Sequence, residues 1–133
     1  MLFRSLTASD YIHAQRIRTR VCRHFARALK EVDAIVTPTT AMTAPVIPPG
    51  SLRTGTSNID ETTTIMRYAQ AGNLTGYPAI SFPVGYDDQG LPIGLQALAR
   101  PWEETLLLRL ALVAEAALPR RAPAVHYPLL APA

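Results

Sequence analysis

The junction between a long helix and a short strand limits most strongly what this chain can fold into. Thr7-Ala8-Ser9-Asp10 pairs a hydroxyl with an acid three residues on, the pattern of a capping box. Apolar residues then recur at Tyr11, Ala14, Ile17, Val21, Phe25, Ala28, Leu29 and Val32. Steps of three and four place them on one face of a helix over 7–32. Arg16, Arg20, Arg23, Arg27 and Lys30 lie largely off that face, the later ones near the negative end of the helix dipole. With no linker, Ala34-Ile35-Val36-Thr37-Pro38 follows, and a short β-branched run closed by proline reads as a buried strand over 34–38. A one-sided helix feeding directly into a buried strand needs a sheet to lie on, so the class is α/β.

The rest of the chain completes that plan. Residues 39–57, rich in proline, glycine and hydroxyl groups, read as a loop long enough to wrap or line a site. Helical spacing returns over 60–75 through Ile65, Met66, Ala69 and Asn73, and Gly76 and Pro78 stop it. Ala79 to Val84 reads as a strand, with Pro83 arguing for an edge or an end. Asp87-Asp88-Gln89-Gly90 is turn chemistry, and Leu91 to Leu98 returns to make an antiparallel hairpin over 79–98. Pro101 and Trp102 open a leucine-rich helix over 103–118, and residues 119–133 form an extended tail. Three strands make a poor sheet alone. Leu95, Leu98, Leu106, Leu107, Leu110 and Val113 need partners on more than one side, so a missing remainder or a partner is expected.

Several chemistries are excluded by what the residues offer. A single cysteine, Cys22, permits no internal disulfide, and on a helix it reads as a small core hydrophobe. His13 and His24 lie about 16 Å apart along one helix, too far to share a metal ion, and no Cys/His cluster has ligand spacing. No metal or other cofactor is therefore expected. Asp87-Asp88 belongs to a turn, and Glu103-Glu104 to a helix start where acids are favoured. No apolar run is long enough for a membrane span, and Met1 to Ser5 is too short for a signal-peptide core. A cytoplasmic or peripheral-membrane location is the resulting expectation, and with it no glycosylation at Asn73-Leu74-Thr75.

Three blocks carry a resemblance. Asp33-Ala34-Ile35-Val36-Thr37-Pro38-Thr39-Thr40 resembles the strand-and-loop motif of the amidase-signature enzymes. Asn73-Leu74-Thr75-Gly76-Tyr77-Pro78-Ala79-Ile80-Ser81 is similar to their next block, and Gly90 to Gln96 with Arg100-Pro101-Trp102 to their hairpin and helix entry. Thr7 to Ile12, Thr43 to Pro49 and Val84 to Asp87 are similar to the plant fatty acid amide hydrolase branch. The resemblance covers about Leu6 to Leu130, with Ala99 standing where the family usually has glycine. It implies the C-terminal part of the amidase-signature fold, a mixed β-sheet flanked by helices, here incomplete. It also implies a fatty acyl amide substrate, such as an N-acylethanolamine, for the full-length parent.

The resemblance further implies a mechanism that these residues do not supply. The family attacks with a serine, relays the proton through a second serine and uses a lysine as base. Here Ser5, Ser9, Ser51, Ser57 and Ser81 are isolated from one another, and the glycines form no Gly-Gly-Ser-Ser-Gly-Gly run. Lys30, the only lysine, lies near the end of a basic helix, where a solvated head group is the ordinary reading. No catalytic residue is therefore assigned, and the chain alone is expected to be inactive. What it can contribute is pocket wall. Thr37, Thr39, Thr40 and Met42 follow the end of a strand, where ligand sites often form. Asn73 and Thr75 are second candidates at a helix end. Against these stand capping of the backbone around Pro38 for Thr37 and Thr39, and a helix C-terminal hydrogen bond for Asn73.

Two other readings stay open. One is a general amidase or an A-type amidotransferase subunit of the same superfamily. The other is a non-catalytic interaction module using the basic helix, with Arg18 and Arg20 reinforcing that face. Without aromatic interleaving or a glycine-rich loop, nucleic acid is not an expected partner. The N-terminal remainder of the amidase, a homodimer partner and peripheral membrane contact are the expected ones.

Overall fold

A computed structural model describes residues 6–55, 57–118 and 121. The elements run α1 (Ala8–Glu31), β1 (Ile35–Pro38), α2 (Ser51–Thr54), α3 (Ile59–Ile65), α4 (Ala69–Thr75), β2 (Ala79–Tyr86), β3 (Pro92–Leu98) and α5 (Glu104–Ala117). The extended tail expected over 119–133 lies outside the described residues except at Arg121, whose guanidinium sits 4.7 Å from the centre of the Tyr86 ring.

Thr7 caps α1 as its sequence requires. Its hydroxyl accepts from the Asp10 backbone N–H at 3.2 Å, and the Asp10 carboxylate accepts from the Thr7 backbone N–H at 3.0 Å. That second bond, with the Thr7 hydroxyl next in importance, holds the Asp10 carboxyl below its ordinary range. The three strands form an antiparallel sheet in the order β1-β3-β2, so the last strand lies between the other two. Pro83 is accommodated because β2 is an edge strand, and the ladder is irregular between Pro83 and Gly85.

Alternation along the strands divides the sheet into two faces. Ala97, Ile80 and Phe82 point towards α5, where Leu107 and Ala99 complete a small core with Leu106. Leu98 and Ala79 point the other way, towards Gly72 of α4, and α4 in turn contacts α1. Arg18 of α1 donates from Nε to the Leu74 carbonyl at 2.7 Å, so it serves the end of α4 and does not extend the basic face of α1.

Arg100 ties the two layers together. Its Nη1 donates to the carbonyls of Leu29 and Val32, groups that a helix end leaves without an internal partner. Its Nη2 meets Asp33 at 3.1 Å and its Nε meets Glu103 at 2.9 Å. One fork thus fixes the end of α1 to the start of α5, a geometry lysine cannot reproduce. Glu103 and then Asp33 push the Arg100 pKa upwards.

Three expectations need correction. The helix over 60–75 is two helices, α3 and α4, separated at Met66-Arg67-Tyr68. The Arg67 and Ala69 N–H groups there bond three residues back, to Thr64 and Met66. Three consecutive threonines before the break are poor helix formers, and the Tyr68 carbonyl is held by the Gln96 side chain at 3.3 Å. The loop over 39–57 contains the short helix α2, held between Gly50 and Gly55, both with positive φ. Pro101 and Trp102 do not open the last helix. They form a turn, with Trp102 at φ 70°, between Arg100, which is bonded to the end of α1, and the start of α5 at Glu104.

Candidate functional site

The register of the sheet builds a polar row that no single strand reveals. Thr37 pairs with Gln96, and Gln96 pairs with Ser81, so three polar side chains cross the sheet on one face. This is the face covered by α4 at its Leu98 end. One step on, Thr39 continues from β1 and its N–H donates to the Gly94 carbonyl at 2.9 Å. Its hydroxyl lies 2.6 Å from that of Ser81.

Gly94 makes this approach possible. A Cβ at that position would lie 2.7 Å from Thr39 Oγ1 and 3.0 Å from Thr39 Cβ, closer than side chains pack. The hydroxyl pair therefore exists because residue 94 has no side chain.

Beside it opens a cleft of about 290 Å³, lined by Pro38, Thr40, Ala41, Met42, Tyr68, Ile93 and Gly94 among others. The Thr40 hydroxyl donates to the Met42 carbonyl at 2.8 Å, which curls the loop and sets Met42 at the rim. The hairpin turn beyond Ile93 is fixed by Asp87, whose carboxylate accepts from the Gln89 and Leu91 backbone N–H groups. The Asp87 carboxyl is held below its usual range mainly by the Leu91 N–H at 2.8 Å, with Thr43 and the Gln89 N–H contributing less.

Of the residues named from sequence, Thr40 and Met42 line this cleft, while Thr37 and Thr39 stand on the polar row beside it. The Thr37 hydroxyl is buried and has no hydrogen-bond partner among the described residues. Asn73 and Thr75 are not brought here. They lie towards the far end of α4, and Thr75 spends its hydroxyl on the Ala71 carbonyl at 2.8 Å within its own helix. Ser81, Gln96 and Tyr68 carry no signal of this site in the sequence, because strand register sets Gln96 between Thr37 and Ser81, and a contact 28 residues away joins Gln96 to Tyr68.

A larger, apolar cleft of about 540 Å³ lies between the 45–48 stretch and α3, lined by Val46, Ile47 and Ile65 among others. Neither cleft holds a reacting constellation. Lys30 is exposed in the last turn of α1, His13 and His24 are exposed on the same helix, and among the described residues Ser81 has the Thr39 hydroxyl and the Gln96 amide as polar neighbours and no base. Among the described residues no helix is long and apolar enough to cross a membrane.

Comparison with known proteins fits this picture of a partial site. Residues 2–108 match the family model described as Amidase. The chain is 54% identical over 130 residues to a fatty acid amide hydrolase of Arabidopsis thaliana, covering 97% of this chain and 21% of that protein. It is 50% identical over 131 residues to the fatty acid amide hydrolase of Medicago truncatula, covering 97% and 22%. The A-type subunit of the Thermotoga maritima glutamyl-tRNA(Gln) amidotransferase superposes with a TM-score of 0.65 at 28% identity, over 77% of this chain and 21% of that one. The chain thus spans about a fifth of the length of these relatives. The matched segment, the sheet with its flanking helices and the identity to the plant enzymes agree, and the chain belongs to the amidase family.

Proposed function

We propose that this chain serves a fatty acyl amide hydrolase by forming one wall of the substrate cleft, and that it carries none of the groups that cut the bond. The observation that carries this reading is the 54% identity to the Arabidopsis fatty acid amide hydrolase across 97% of the chain. The 28% identity to the Thermotoga amidotransferase subunit supports the same superfamily at a greater distance.

The wall would act through position. Thr40 and Met42 form the rim, and the Thr39–Ser81 hydroxyl pair stands beside it. A hydroxyl pair can both donate and accept, which suits an amide group, and Met42 and Ile93 supply apolar surface for an alkyl chain. The nucleophile and base would come from polypeptide outside these residues. A serine nucleophile needs a neighbouring base, and among the described residues the Ser81 hydroxyl bonds to that of Thr39 and to no base.

The test uses the purified chain with an acylethanolamide and, separately, with a fluorophosphonate probe. The expected outcome is no turnover above buffer and no covalent serine adduct. An adduct on any serine of this chain, or turnover removed by Lys30→Ala, would overturn the proposal.

A further inference from the structure

Helix α5 is apolar on both sides. Its fourteen residues include only three charges, Glu104, Arg109 and Glu115. The inner side is used, with Leu107 in the core and Leu106 packed against it. The outer side is just as apolar, yet Leu108 is 62% exposed and Leu112 and Val113 are each 68% exposed. Leu108 and Leu112 are one turn apart and form a continuous patch. A helix that is apolar all round belongs between two neighbours, and among the described residues α5 has the sheet on one side only.

A second bare surface decides what the missing neighbour is. The apolar stripe of α1 packs at its Leu29 end, but Tyr11 and Ile17, on the same stripe, are 65% and 49% exposed. α1 lies with α4 on the side of the sheet opposite α5. A second copy of this chain, joined by a two-fold axis, would bury one patch on both protomers and leave the other open. A peptide or an acyl chain would cover one patch only. A body several times larger than this chain can reach both sides of a three-stranded sheet. The plant relatives possess such a body, since the matched region is only 21% of the Arabidopsis enzyme.

We propose that the outer face of α5, centred on Leu108 and Leu112, seats the portion of an amidase domain that lies outside the matched region. This deepens the function proposed above and rests on it for the partner's identity, while the face itself rests on the packing of α5.

The test is a chimera in which this entire chain replaces the matched segment of the Arabidopsis enzyme. Leu112→Cys, a mild change, is made in the chimera and in the chain alone, and maleimide labelling of the substituted peptide is followed by mass spectrometry. Labelling about a hundredfold slower in the chimera is expected, because the site then reacts only through local opening. Leu108→Glu is expected to lower the recovery of folded chimera at least about tenfold, while Arg23→Glu, on the solvated side of α1, leaves it unchanged. Equal labelling in both contexts overturns the proposal. So does a Leu108→Glu effect no larger than that of Arg23→Glu, or a chimera that yields no folded protein. Protection in the chain alone that grows with its own concentration overturns it in favour of a second copy. A chimera that protects α5 and fails only to hydrolyse acyl amides supports the interface and refutes the substrate reading. One that hydrolyses them with α5 fully reactive does the reverse.

Discussion

Gly94→Ala puts the construction of the polar row to a quantitative test. The new methyl would meet Thr39 Oγ1 at 2.7 Å and Thr39 Cβ at 3.0 Å. Thr39 has little room to retreat. Its N–H is bonded to the Gly94 carbonyl at 2.9 Å, its hydroxyl to Ser81 at 2.6 Å, and its branched Cβ resists off-rotamer χ1. Either the two strands separate by several tenths of an ångström or Thr39 turns and gives up Ser81. Overpacking of this kind costs about 1–3 kcal/mol, and a lost hydrogen bond about 1 kcal/mol. Where both responses occur in part the costs add to about 2–4 kcal/mol, a large share of a small domain's stability. Urea unfolding of the full chain, followed by circular dichroism, should then show a midpoint lower by about 1–2 M. The cause is isolated with Thr39→Ala. That change removes the 2.7 Å contact and leaves the one at 3.0 Å, so the double variant should be at least about 1 kcal/mol better than the sum of the singles. Strict additivity, or a Gly94→Ala cost below about 0.5 kcal/mol, would refute the reasoning.

Other outcomes follow from the same packing. Leu98→Ala, at a side chain only 1% exposed between β3 and α4, should cost about 2–5 kcal/mol in urea unfolding, while Leu112→Ala in the same chain should cost less than about 0.5 kcal/mol. Asp87 is held below its unfolded pKa, so its contribution is complete above the ordinary carboxylate range and disappears as pH falls through the folded value. Asp87→Asn should therefore flatten the decline in urea midpoint between about pH 6 and about pH 3, and an unchanged slope would contradict the assignment. Arg100→Lys should speed amide hydrogen exchange in the last turn of α1, because a lysine cannot serve the Leu29 and Val32 carbonyls together with Asp33 and Glu103. Unchanged exchange at Val32 would show that the fork does not hold that turn.

Where the cause of an element is local, the sequence states it. The Thr7–Asp10 cap, the three-four spacing of α1 and the Asp87 turn each use partners within a few residues, and each can be read before any fold is known. Two of the failures coincide with distant contacts. Tyr68 leaves the helical ladder because its carbonyl answers to Gln96, 28 residues away. Trp102, at positive φ, follows directly on Pro101 and Arg100, whose guanidinium is bonded to the Leu29 carbonyl 71 residues away. The polar row belongs to the register of three strands. Alternation alone could have put Ser81 and Gln96 on a shared face, but not opposite Thr37.

Burial gives the same lesson in reverse. From sequence, Leu107, Leu110 and Val113 read alike as apolar positions in need of partners, yet Leu107 is 3% exposed, Leu110 37% and Val113 68%. The pattern of a helix records every neighbour it is meant to have, whether or not those neighbours are among the residues in view. An apolar residue left in water is, on this argument, a legible trace of a missing contact, and it separates α5 from α1 along its arginine side. There the exposed positions are Arg16, Arg20, Arg23 and Arg27, and water is the neighbour they were suited to.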